Sequence, residues 1–156
     1  MPGTQDVTVA VAPPAADRRR ASGFALLGVA TFVAAAWLDP YDAAGQPLSH
    51  GTHRQLGLPP CMLNLVTGLP CPACGMTTSV ALLTHGDVAA AWNTNWAGTL
   101  IGLLGAATTL WLVLRAAGLP TGPWTAETTV CRLAIAGAIL ATARYAGLVV
   151  HWLFTR

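Results

Sequence analysis

The chain has 156 residues, of which 54% are hydrophobic and only 9% are charged. A soluble globular chain carries about 25% charged residues, so this composition indicates a membrane protein of one domain. The formal net charge is +2, and the eight basic residues are all arginines, which are spread along the sequence. Because no basic patch is available to contact phosphates, nucleic acid is excluded as a partner and the lipid bilayer is the expected one.

Residues 1–20 are predicted to be a disordered tail, because prolines and small residues leave little to bury. The uncharged residues 21–38 follow, and as a helix they would extend about 27 Å and just cross the hydrocarbon core. We interpret them as a first membrane span, because the apolar run is longer than that of a typical signal peptide. The alternative is a cleaved signal peptide, since residues 34–36 are three alanines that resemble a cleavage site.

The polar residues 39–70 are predicted to form an ordered loop, with leucines and a valine to pack it. Residues 75–84 are apolar enough for a short helix that does not cross the membrane and is interfacial or re-entrant. This helix is expected to end near His85, because Gly86 suits a left-handed C-terminal cap. Asp87 then suits the N-cap of the next helix.

Two further membrane spans are predicted near residues 94–115 and 130–153, with a glycine- and proline-rich loop between them. The helix that holds the first of these begins at Val88, and Trp92 and Trp96 should mark one membrane interface. The sequence therefore predicts an all-α membrane protein with a single membrane domain, 21–156. It has three transmembrane helices and one short helix that carries a CPxCG motif.

The arginines predict how the chain is oriented in the cell membrane. With the N-terminus in the cytoplasm, five arginines lie inside and two outside, as the positive-inside rule requires. The inside set is Arg18, Arg19, Arg20, Arg115 and Arg132, and the outside set is Arg54 and Arg156. The cysteine-containing loop would then be extracytoplasmic.

Three cysteines of this loop are the candidate functional residues. Cys71 and Cys74 are separated by two residues, and Cys61 lies ten positions before Cys71. They could form a structural disulfide, a zinc site with His53 as the fourth ligand, or a redox pair with Cys61 as a shuttle thiol, or they could pack as free thiols. We expect Cys74 to begin the short helix, where unpaired N–H groups and the helix dipole would stabilise a thiolate.

Two polar residues are expected to lie near the cysteines or to need a partner. If the short helix folds back along the next helix at Gly86, Cys74 lies near Asn95. Arg144 falls inside the third span, where a charge faces protein, faces a water-filled cavity or extends to the lipid headgroups. The fourth cysteine, Cys131, is interpreted as an ordinary apolar helix residue.

Residues 61–95 resemble the bacterial membrane proteins of domain-of-unknown-function family 2752. The family pattern is a cysteine, then TG.PCP.CG.T, a leucine-rich turn, Gly-Asp, an alanine-rich helix and Asn-Pro. The positions that fit it are Thr67, Gly68, Cys71, Pro72, Cys74, Gly75, Thr77, Gly86, Asp87 and Asn95. Thr78 stands where many members have arginine, and Trp96 replaces the proline, so we expect a straighter helix start. The resemblance implies a small multi-span membrane protein and no particular activity.

Two functions are compatible with these residues. The first is a non-enzymatic membrane module whose cysteine loop is fixed by a disulfide or by zinc. The second is a membrane thiol–disulfide oxidoreductase that uses the Cys71 and Cys74 pair. Besides lipid, the expected partners are other membrane proteins or a second copy of the chain. Whether the two thiols cycle between oxidised and reduced states separates the two functions.

Overall fold

The computed structural model describes residues 12–67, 71 and 73–155. Within these residues the regular elements are helical and no strand is formed. The helices are α1 (Ala15–Trp37), a 3-10 helix (Thr52–Leu56), α2 (Met62–Thr67), α3 (Met76–Thr84), α4 (Val88–Ala116) and α5 (Ala126–Phe154). The predicted all-α fold is confirmed.

Three helices, α1, α4 and α5, are long and apolar enough to cross a membrane. They contain the three predicted spans, apart from the last residue of the first. Helix α4 lies at the centre, because α1, α3 and α5 all contact it. The short helix α3 begins at Met76, so the CPxCG motif lies in the turn before this helix and not on it.

Helix α1 begins earlier than the sequence indicated. Residues 15–20, which we assigned to the disordered tail, form the first turns of this helix. The physical reason is Asp17, whose carboxylate forms an ion pair with Arg115 and accepts a hydrogen bond of 3.0 Å from the backbone N–H of Ala126. This contact ties the start of α1 to the end of α4 and the start of α5. Residues 1–11 of the predicted tail lie outside the described residues.

Helix α4 is broken at Asn95, where the backbone is extended (φ −158°, ψ 93°). The expectation of a straighter helix start was therefore wrong, since the break does not need a proline at position 96. The Asn95 side chain accepts a hydrogen bond of 2.8 Å from the backbone N–H of Gly98, as an N-cap residue does. From Trp96 to Ala116 the helix extends about 31 Å, which matches a hydrocarbon core.

Most of the arginines lie at one end of the helix bundle, which we call the arginine end. Arg18 donates to the carbonyl of Ala116 at 3.4 Å, and Arg20 forms an ion pair of 3.0 Å with Glu127. Arg19 is on the same turns of α1, and Arg115 and Arg132 are on the α4 and α5 ends that meet there. The cysteine loop connects to the opposite ends of these helices, and we call that end the cysteine end.

The loop between α1 and α2 is ordered by polar contacts. The backbone N–H of Asp39 donates to Oε1 of Gln55 at 3.0 Å, and Nε2 of Gln55 donates to the Asp39 carbonyl at 2.7 Å. The leucines and the valine that we expected to pack this loop are exposed (Leu56, Leu58, Leu63, Leu65 and Val66). The predicted loop 39–70 also contains two short helices, Thr52–Leu56 and Met62–Thr67, which the sequence did not indicate because each is too short to show a helical period. Its described residues are held by polar contacts and not by the apolar packing that we expected.

Candidate metal centre

Three sulfur atoms meet at the cysteine end. The Sγ atoms of Cys61, Cys71 and Cys74 all lie within 4.8 Å of one another, and each side chain is partly buried. Tetrahedral zinc with Zn–S bonds of about 2.3 Å holds its sulfur ligands about 3.8 Å apart. The cluster is therefore close enough to hold a metal ion after small side-chain shifts.

Local backbone structure brings the three cysteines together. The backbone N–H of Cys74 donates to the carbonyl of Cys71 at 3.2 Å, which closes a turn and directs both residues to one side. Cys61 is the residue just before α2, and its carbonyl accepts a hydrogen bond of 3.1 Å from Leu65 in the first turn of that helix. The cluster thus depends on a turn and on the start of a short helix.

Asn95 attaches the cysteine turn to α4. Its Nδ2 donates to the carbonyl of Cys74 at 3.1 Å, and the Asn95 residue is only 1% exposed. The oxygen of its side-chain amide thus caps the main part of α4, and the nitrogen of the same amide holds the backbone of Cys74. The expectation that Asn95 lies beside Cys74 agrees with this geometry.

The electrostatic surroundings of Cys74 differ from those expected for a reactive thiolate. Burial, followed by the neighbouring thiols of Cys61 and Cys71, raises the pKa of Cys74 to about 12. The expected stabilisation by a helix N-terminus was wrong, because α3 begins at Met76 and Gly75 separates it from Cys74. Reactive redox cysteines have a lowered pKa, whereas a bound cation deprotonates a coordinating thiol outright.

A cavity of about 390 Å³ opens beside the sulfur cluster. Its walls combine the three cysteines with cationic, imidazole and apolar side chains. Besides the cysteines, the cavity is lined by His50, Gly51, His53, Arg54, Pro60, Leu65, Arg144 and Leu148. Arg144 also lines a second cavity, to which Asn95 contributes. Arg144, the charged residue predicted inside the third span, thus lies at the cysteine site.

The two histidines of the cavity do not complete the sulfur cluster. The Nε2 atom of His53 is 3.2 Å from the carbonyl oxygen of Pro59, and Nδ1 of His50 is 2.8 Å from Oγ of Ser49. Among the described residues, no imidazole nitrogen joins the three sulfurs within the cluster distance. His53, our predicted fourth ligand, therefore lies in the cavity wall and outside the cluster. Sequence reasoning did not select His50, which the irregular loop brings to the same cavity.

The Gly-Asp part of the motif ends one helix and begins the next. Gly86 has a left-handed backbone (φ +84°), and the carboxylate of Asp87 accepts a hydrogen bond of 3.0 Å from the N–H of Ala90. Both residues have the capping roles that the sequence predicted. They set the reversal that packs α3 against α4, and through it the position of the cysteine turn.

Other motif residues lie on α3 or outside the described part of the chain. Thr77 is on α3 and partly buried, and the fully buried Thr78 accepts a hydrogen bond of 2.8 Å from the hydroxyl of Thr52. Thr78 thus joins α3 to the 3-10 helix through two small hydroxyl groups. Gly68 and Pro72 fall outside the described residues. Cys131 is exposed on α5, towards the arginine end.

The fold and the site define the class of protein: a multi-pass, all-helical membrane protein with a thiol cluster at one end of its bundle. Residues 61–109 match a family described as Protein of unknown function (DUF2752), which confirms the resemblance inferred from the motif. The match begins at Cys61, ends within α4 and covers about a third of the chain. No curated protein and no solved structure matches the sequence.

Proposed function

We propose that this protein is a non-enzymatic membrane module that binds one zinc ion through the thiolates of Cys61, Cys71 and Cys74. The observation that carries the proposal is the mutual approach of three sulfur atoms within 4.8 Å. Soft thiolate ligands favour zinc over magnesium or calcium, and zinc has no redox chemistry of its own. The zinc would fix the cysteine loop to the membrane helices through the Cys74 turn.

The number of thiols distinguishes zinc binding from the alternatives. A disulfide joins two sulfurs and leaves the third one in the same cavity with no covalent role. A zinc ion uses all three sulfurs. The net charge of the zinc centre also agrees with its surroundings. Three thiolates and a dication carry −1 in total, and Arg144 supplies a positive charge in the cavity wall.

The test is the metal content of the full-length protein, purified from membranes in detergent without chelator. We expect about one zinc ion per chain in the parent and less than a tenth of that in Cys71→Ser and Cys74→Ser, since each variant lacks a ligand. Cys131→Ser is the matched control and should keep its zinc, because Cys131 is far from the cluster in the fold. Circular dichroism shows whether each variant retains its helices.

A parent protein that lacks zinc and carries a Cys71–Cys74 disulfide would overturn this proposal. A disulfide that stays oxidised would favour a module fixed by a disulfide, and one that cycles between oxidised and reduced states would favour the thiol–disulfide oxidoreductase. Trapping with a maleimide reagent in intact cells distinguishes a disulfide from zinc-bound thiols. A disulfide resists the reagent until it is reduced, whereas zinc-bound thiols react after a chelator is added.

We infer that the arginine end faces the cytoplasm and the cysteine end the outside of the cell membrane. The support is the clustering of five arginines at one end of the bundle, which the positive-inside rule associates with the cytoplasm. Topology reporters fused at Gly45, near the cysteine end, and at Gly122, near the arginine end, should therefore report opposite sides. Two reporters on the same side would contradict the three-span arrangement.

We also infer that the lipid bilayer covers the long helices. Large apolar side chains are exposed along α1 and α5, among them Leu26, Val33, Ile135 and Ile139, which are each more than 60% exposed. An exposed apolar surface of this extent on two span-length helices fits hydrocarbon contact. Contacts with other membrane proteins or with a second copy of the chain would use the same faces.

A further inference from the structure

We propose that the zinc ion has an open fourth coordination position, which binds a small oxyanion such as a carboxylate or a phosphate. This inference rests on the proposed zinc site and adds a ligand class to it. Structural zinc sites are closed by four protein ligands, whereas sites that bind exogenous ligands provide three and leave one position open. Here the described residues supply three sulfurs to the cluster and no nitrogen.

Each imidazole contacts a neighbouring group through one ring nitrogen. His53 contacts the carbonyl of Pro59 through Nε2, and His50 contacts the hydroxyl of Ser49 through Nδ1. Both rings line the cavity without joining the cluster. The three cysteines line the same cavity, so a molecule that enters the cavity could reach a metal held by their sulfurs.

The charges in the cavity wall select an anion. The zinc and its three thiolates carry −1, which one arginine balances. The cavity contains two arginines, Arg144 and Arg54, so a positive charge remains for a bound anion. A guanidinium group also has the planar pair of donors that matches carboxylate and phosphate oxygens.

The size of the cavity limits the ligand to a small molecule. Its volume of about 390 Å³ is at the lower end of the range of small-molecule pockets, which is about 300–1,000 Å³. Pro60, Leu65 and Leu148 give it apolar walls beside the charged ones. This combination suits an organic acid or a phosphate with a small apolar part.

The experiment uses the full-length protein loaded with cobalt(II), whose visible absorption depends on its ligands. Acetate, phosphate and the neutral acetamide are titrated separately, and cobalt content is measured afterwards. We expect acetate or phosphate to change the spectrum with saturation, without removing cobalt, and acetamide to leave it unchanged. The stronger of the two anions identifies the ligand class.

Substitution of the arginines tests the source of the selectivity. Compared at equal cobalt content, Arg144→Gln should weaken binding of the anion about tenfold or more, the loss expected for a hydrogen bond to a charged group. Arg144→Lys should lie between the parent and Arg144→Gln, because it keeps the charge but not the fork. Arg132→Gln at the arginine end is the matched control and should bind the anion as the parent does.

The outcomes separate this inference from the proposed function. If the spectrum of the anion-free protein changes in His53→Ala or His50→Ala, the site is closed by a histidine, and only the open position is refuted. Equal anion affinity in the parent and Arg144→Gln, or no response to either anion, also refutes the inference alone. A parent protein that binds neither zinc nor cobalt refutes the proposed function and this inference with it.

Discussion

Replacing Asp17 with alanine is expected to lower the free energy of unfolding by about 3–5 kcal/mol, the usual cost of removing one partner of a buried ion pair. Asp17 is 8% exposed and Arg115 is 4% exposed, so the remaining guanidinium could not regain its hydration. The same substitution leaves the backbone N–H of Ala126 without its carboxylate acceptor at the start of α5. Three membrane helices thus lose one shared contact.

Arg115 has other contacts that limit the loss but do not remove it. Its NH1 donates to the hydroxyl of Thr121 at 2.9 Å and to the carbonyl of Gly122 at 3.3 Å, and its guanidinium lies 5.0 Å from the centre of the Trp111 ring. These contacts hold the side chain in place without supplying a negative charge. Asp17→Asn, which keeps an acceptor for Ala126 but no charge, should therefore fall between the parent and Asp17→Ala.

The measurement is unfolding in mixed micelles for the parent, both Asp17 variants and a control. Glu127→Gln is the control, because the Arg20–Glu127 pair is more than half exposed on both sides and should be worth about 1 kcal/mol or less. A value for Asp17→Ala within 1 kcal/mol of Glu127→Gln would show that the buried pair does not hold the arginine end together.

The role of Asp17 shows which part of the fold the sequence could not predict. The three spans follow from the length of apolar runs and from the arginines that flank them, which are local signals. The pairing of Asp17 with Arg115 joins residues 98 positions apart, and no local pattern indicates it. Because Asp17 follows a proline-rich segment, its composition suggested disorder, and the helix was predicted to begin six residues too late.

The sequence predicted that the candidate site is a cluster of thiols, but it predicted only some of the residues that surround them. Two cysteines separated by two residues indicate a turn with adjacent thiols, and the folding back of α3 at Gly86 placed Asn95 beside Cys74. The placement of His53 outside the cluster could not be predicted, because the position of its ring depends on its contact with Pro59. Arg54 and His50 lie in the cavity wall because of the path of the irregular loop. In such a loop, the separation of two residues in sequence does not predict the distance between them.

The inferred orientation sharpens the contrast between a zinc site and a disulfide. If the cysteine end faces the outside of the membrane, its thiols are in an oxidising compartment, where adjacent cysteines normally form disulfides. Coordination to zinc holds the three sulfurs as ligands, so it offers a way to keep all three reduced there. Zinc content and orientation are thus linked, and the maleimide experiment in intact cells examines both.

The glycine of the cysteine motif should be required for both stability and metal binding. Gly75 has a left-handed backbone (φ +79°), and a Cβ atom at this position would lie 2.9 Å from the carbonyl oxygen of Ser49 and 3.1 Å from Cγ2 of Thr94. Gly75 thus lies between the loop after α1 and the start of α4. The left-handed conformation costs a side chain about 1–2 kcal/mol, and the crowding costs about 1–3 kcal/mol.

Gly75→Ala is therefore expected to lower the free energy of unfolding by about 2–5 kcal/mol and to reduce zinc content, because the strain falls next to Cys74. Gly86→Ala is the matched control: Gly86 has a similar backbone angle (φ +84°), but a Cβ atom there has no neighbour within 4 Å. It should lose only about 1–2 kcal/mol and keep its zinc. Thermal unfolding and metal analysis of the two variants give the comparison. Equal losses in both would mean that backbone strain alone explains the motif glycine, and that its contacts with Ser49 and Thr94 do not position the cysteine turn.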